Sequence, residues 1–148
     1  TPEDFIDWGN TERYEKAIGV GECAGVVIDL IATLLFESEE KIQNAQEMFD
    51  AEKWSASIYH AYSSMVNSAK AMLTAENTKV NTHVSIIKDF DEKFVADGRI
   101  AVAGGFEKLV LQLNQNEPTK EFAQSYIKDA KEFLETVEKF RQQELAEA

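Results

Sequence analysis

Apolar residues at alternating steps of four and three run through most of this chain, and that period constrains the fold more than any other feature. From Val27 the positions Val27, Ile31, Leu34, Ser38, Ile42, Ala45 and Phe49 fall on one helical stripe, with Ser38 the polar exception. A second stripe runs Trp54, Ile58, Tyr62, Met65, Ala69 and Leu73, and should end near Glu76-Asn77. A third, shorter element carries Ile86, Ile87, Phe90, Phe94 and Val95. Thr82 or Asn81 can supply its N-cap, and Gly98 offers the left-handed conformation that a helix end often needs. After Gly104-Gly105 comes a weaker piece with Phe106, Leu109, Val110 and Leu113. Past the break at Asn116-Glu117-Pro118-Thr119, the last stripe keeps strict spacing through Phe122, Tyr126, Ala130, Phe133, Val137 and Phe140, with Thr119 or a neighbour as its cap.

No segment alternates with period two for long, so no strand is expected. Helices joined by short breaks pack as antiparallel neighbours, which predicts an all-α, up-and-down bundle of four to five antiparallel helices. Residues 1–21 differ. Phe5, Ile6, Trp8 and Tyr14 are apolar without period and are interrupted by glycines, which reads as an arm or linker that docks by its aromatics, ahead of a bundle domain at 22–148.

Composition narrows the function. With 27 acids against 15 bases the net charge is −12, and the default electrostatic response to nucleic-acid phosphate is repulsion. The acidity is uneven: residues 1–52 hold 13 acids and three bases, and the remainder 14 and 12. One cysteine, Cys23, makes neither an internal disulfide nor a cysteine metal cage. No run reaches the ~18 apolar residues of a membrane span. The chain opens at Thr1-Pro2-Glu3-Asp4 without an initiator Met or a signal-peptide pattern, so the expectation is a cytoplasmic domain cut from something longer, with upstream domains of the same chain as its partners.

Common chemistries can be weighed and set aside. A di-iron bundle site wants Glu-x-x-His, but Ser57 and Val80 stand three residues before His60 and His83. The run Gly19-Val20-Gly21-Glu22-Cys23-Ala24-Gly25 has one residue too many before its third glycine for a dinucleotide fingerprint, and no strand precedes it. It reads as a flexible, close-packing entry to the first long helix. No cofactor and no metal site is expected. Ala56 to Met72 is rich in small residues (Ala56, Ala61, Ser63, Ser64, Ser68, Ala69 and Ala71), which suits the tight centre of a bundle. The binding candidates are Tyr59, His60 and Tyr62 of this stretch with His83 beyond it, a polar groove that could take a nucleotide or another small molecule.

Ser57-Ile58-Tyr59-His60-Ala61-Tyr62, then Ser68-Ala69-Lys70-Ala71-Met72-Leu73, Thr82-His83, and Ile87-Lys88-Asp89-Phe90 with Phe94-Val95 and Gly98, resemble the HEPN domain superfamily in order and spacing. The resemblance covers about residues 34–140 and implies a helical bundle. Catalytic members of that family are RNases with an Arg followed four to six residues later by a His near the start of the last helix. This chain departs from the pattern, since Leu113 to Tyr126 contains neither. Without its general acid/base such an RNase lacks the means for phosphoryl transfer, so the resemblance implies no enzyme in this domain, and a role in binding or assembly. Upstream, Asp7-Trp8-Gly9 and Ile18 to Val27 are similar to the region that introduces a HEPN-like domain at the C-terminal end of some bacterial sulfite/nitrite reductase-like proteins. That implies a docking, dimerisation or regulatory module, with the sirohaem and iron–sulfur chemistry residing upstream. The alternatives are the small-molecule groove and a HEPN partner of a nucleotidyltransferase in a toxin–antitoxin pair. A homodimer through apolar helix faces fits each of these.

Overall fold

The computed structural model describes the backbone of residues 20–147 and the side chains of residues 25–147. The aromatic arm and the side chain of Cys23 lie outside the described residues. Five helices follow in order: α1 (Val20–Asp50), α2 (Trp54–Ala75), α3 (His83–Phe90), α4 (Phe106–Val110) and α5 (Lys120–Glu147). α3 runs on as a π-helical turn at Asp91–Val95, and α4 as a 3₁₀ turn at Leu111–Asn114. No strand occurs among the described residues.

α1 starts earlier than its apolar stripe. The glycine run from Val20 is already helical backbone, and a Cβ added at Gly25 would meet nothing within 4 Å, so Gly25 is not there for close packing. Helix extension adds one hydrogen bond per residue, and a long nucleated helix absorbs the roughly 1 kcal/mol that a glycine costs.

α1 and α2 make the most extensive helix pair. The Ser57 hydroxyl donates to the Ala45 carbonyl at 2.9 Å, Ser64 to the Ser38 carbonyl at 2.8 Å, and the Asn67 amide to the Leu34 carbonyl at 2.7 Å. The residue numbers climb on one helix as they fall on the other, so the two run antiparallel. Ala45, Ala61, Ala69 and Ala71 are fully buried, as are Ser38, Ser57, Ser64 and Ser68. Small side chains bring the backbones close, and each buried hydroxyl finds a carbonyl. Ser38, the polar exception in the stripe, donates to the Leu34 carbonyl at 3.0 Å and accepts from Asn67 at 3.2 Å.

α5 also runs antiparallel to α1, with Lys131 against Gln46 at 3.5 Å and Glu138 hydrogen-bonded to Glu39. α2 and α5 therefore pack pointing the same way, and the segment from α3 to α4 returns the chain between them. Caps fix its ends. Thr82 accepts from the Ser85 N–H at 3.1 Å, Thr119 from the Phe122 N–H at 3.1 Å, and Gly98 takes φ +78°. In the core Phe90 lies 4.7 Å from Phe106, 5.2 Å from Phe94 and 5.4 Å from Phe133, centroid to centroid, which ties α3, α4 and α5 together.

The π turn after Phe90 aims Asp91 at the start of α4. Its carboxylate accepts from the Phe106 N–H at 2.7 Å and from the Glu107 N–H at 2.8 Å. Gly105, at φ +93°, is the turn that presents those donors, and a Cβ there would lie 3.5 Å from Asp91 Oδ1. Asp91→Ala should cost about 1–2 kcal/mol in urea unfolding, the worth of a lost helix cap.

Burial, the hydrogen bond that the protonated Glu138 carboxyl donates to Glu39, and repulsion from Glu39 and Glu135 push that carboxyl from an ordinary 4.5 up to about 7. The native state thus holds a proton that the unfolded chain releases between those values. Stability contributed by the protonated group is fully present below about pH 4.5 and is lost as pH rises through 7. Glu138→Gln should raise the melting temperature at pH 8 and leave it nearly unchanged at pH 4.5, read by circular dichroism at the two pH values.

Candidate functional site

The N-terminal half of α2 and the connection from α4 to α5 enclose an open cleft of about 350 Å³. From α2 come Ser55, Ile58, Tyr59 and Tyr62, which share one helix face. From the connection come Leu111, Leu113, Asn114, Asn116 and Pro118. No charged side chain is among the described residues that line it.

The connection is held by two buried contacts. Tyr126, fully buried on α5, donates its hydroxyl to the Val110 carbonyl at 2.5 Å. Burial, with smaller effects of Tyr62 and Asp129, raises that phenol's pKa, so it stays a donor. Phe106 stacks on Phe133 at 4.7 Å. Further along, the Asn116 amide N–H caps the 3₁₀ turn by donating to the Gln112 carbonyl at 2.8 Å, which leaves its Oδ1 to accept.

The four residues that the sequence singles out form one run of ring contacts, with a hydrogen bond between Tyr62 and His83. Tyr59 and Tyr62 lie 6.4 Å apart, centroid to centroid, and the Tyr62 hydroxyl is 2.9 Å from His83 Nδ1 across the α2–α3 junction. The Tyr62 and His83 rings are 5.5 Å apart. His60 joins through an edge contact with Tyr59 at 6.0 Å. Tyr59 is 60% exposed, so one aromatic surface faces solvent at the cleft. Burial, with repulsion from Tyr59, raises the Tyr62 phenol above its ordinary 10.0, which keeps it protonated and able to donate to His83.

Only Tyr59 and Tyr62 of the four line the cleft; neither histidine is among the described lining residues. The opposite wall was missed in the sequence. Asn116-Glu117-Pro118 reads there only as a break between stripes, and nothing local shows that it faces α2. A second depression, about 600 Å³, lies between α1 and α5, with Glu121, Lys128 and Lys131 of mixed charge on its rim.

Both described arginines are engaged elsewhere. Arg99 pairs with Glu76 at 2.7 Å and Asp97 at 3.3 Å, donates to the Lys93 carbonyl at 2.9 Å, and lies 4.4 Å from the Phe94 centroid. Arg141 pairs with Glu144 at 3.5 Å. Among the described residues no group of three or more His, Cys, Asp or Glu could hold a metal ion, and no helix is long and apolar enough to cross a membrane.

A model of the HEPN domain matches residues 31–140. The chain belongs to the HEPN domain family. The match covers the whole bundle from the middle of α1 to Phe140 in α5, including the cleft. A relative from Methanocaldococcus jannaschii, "Putative toxin MJ0605", is 28% identical over 116 residues, 74% of this chain and 87% of its own. No solved structure matches.

Tyr62→Phe should cost under about 1 kcal/mol, because the lost hydrogen bond is partly open to water. It should also move the His83 ring resonances in an NMR spectrum while leaving those of Phe90 and Phe133 in place.

Proposed function

We propose that this HEPN domain is noncatalytic and serves docking, dimerisation or regulation. The observation that carries the reading is the placement of arginine. HEPN-type RNA cleavage draws on a paired Arg and His, whereas Arg99 and Arg141 are engaged by carboxylates, and His83 has Tyr62 as its partner. The start of α5, where that pair would belong, holds neither residue type. An imidazole alone supplies proton transfer but leaves the charge developing on a transferring phosphoryl group without a cation beside it. The finer reading, a C-terminal module of a sulfite/nitrite reductase-like protein, is supported by the Asp7-Trp8-Gly9 and Ile18–Val27 words. Reductase chemistry then belongs to other domains, and this domain needs no cofactor.

A second reading has a specific support. The relative is named as a toxin, which fits a HEPN protein paired with a nucleotidyltransferase. The neighbouring coding sequence separates the two: a reductase-like domain fused upstream favours the first, and an adjacent nucleotidyltransferase gene the second.

Single-stranded and structured RNA incubated with the chain should remain intact. Cleavage that His60→Ala or His83→Ala abolishes would overturn the noncatalytic reading. Sedimentation should give twice the monomer mass, and a strict monomer would remove dimerisation from the proposed roles.

A further inference from the structure

We propose that the cleft between α2 and the 111–118 connection takes the guanidinium group of an arginine presented by a basic segment of a partner protein. Three observations converge on this occupant. The cleft offers the π surfaces of Tyr59 and Tyr62 at its open side, with Tyr59 60% exposed. Tyrosine faces attract cations, and a planar guanidinium stacks on them more readily than an ammonium does. Next, the polar part of the wall supplies acceptors: Asn116 donates its amide N–H to Gln112, leaving Oδ1 for a guanidinium N–H, and Asn114 lies beside it. Third, the charge is complementary. No cation is among the described lining residues. Glu117, an exposed acid, stands in the chain between the lining residues Asn116 and Pro118. A net charge of −12 steers a basic segment toward the molecule.

The volume, about 350 Å³, exceeds what a guanidinium fills and leaves room for the apolar stem against Leu111 and Leu113. The same chemistry already operates within the chain, where Arg99 lies over Phe94 at 4.4 Å with carboxylates on its edge. The proposal goes beyond the noncatalytic reading and holds whether or not the domain cleaves RNA.

The test titrates the 148-residue chain with an acetylated, amidated Gly-Arg-Gly peptide at low ionic strength, following tyrosine ring resonances by NMR. The peptide should shift Tyr59 and Tyr62, and the citrulline peptide, of the same shape without charge, should bind at least about threefold more weakly. Tyr59→Phe should keep the binding and Tyr59→Leu lose most of it; the exposure of Tyr59 leaves the fold intact in both, checked by thermal melting. Equal affinity for citrulline, undiminished binding by Tyr59→Leu, or no shift of either tyrosine at millimolar peptide would overturn the proposal. So would a single-stranded oligoribonucleotide that displaces the arginine peptide from these residues and binds more tightly.

Discussion

Helix α4 is too short to persist on its own hydrogen bonds, and the molecule holds it from both ends. Five residues form barely one turn, well below the length at which propagation offsets the cost of nucleation. At the N-terminus the Asp91 carboxylate accepts two backbone N–H groups, and at the C-terminus the buried Tyr126 hydroxyl meets the Val110 carbonyl. Between them Phe106 is wedged against Phe90 and Phe133. The wall of the cleft opposite α2 is the direct continuation of this pinned turn, so the site exists because α3, α4 and α5 share one aromatic cluster.

That arrangement divides the bundle into two regimes. The α1–α2 pair is a tight, hydroxyl-satisfied seam of alanine and serine, where close backbone approach replaces bulk. The other side is filled by phenylalanine rings and is bridged by irregular turns. The π turn after Phe90 directs Asp91 to the neighbouring helix terminus, while Phe94, one turn on from Phe90, stays in the core. Irregular backbone here sits beside the cleft, and the long regular helices supply the frame that fixes it.

The proposed noncatalytic role rests on the side chains at the site and not on the fold. The HEPN match runs through Tyr59, Tyr62 and His83, yet His83 is joined to a tyrosine hydroxyl and the described arginines to carboxylates. A fold positions side chains; the reaction depends on which side chains stand there.

Much of this was legible in the residues. Step-three and step-four spacing located each helix, because burial of one face imposes that period wherever a helix lies on a core, and Thr82, Gly98 and Thr119 marked the ends by their own hydrogen-bonding and backbone preferences. Tyr59 and Tyr62 could be named because they lie one turn apart on one helix. Their partner across the cleft could not, since Asn114, Asn116 and Pro118 are brought to α2 by Asp91, Phe106 and Tyr126, contacts that span 15 residues or more and leave no local period. The run from Val20 to Gly25 shows the opposite error, in which glycine content suggested a loose entry and cooperative extension of α1 carried the helix through. Local spacing and capping chemistry thus fixed the helices, while long-range contacts to α4 decided that Tyr59 and Tyr62 would face a wall and form a cleft.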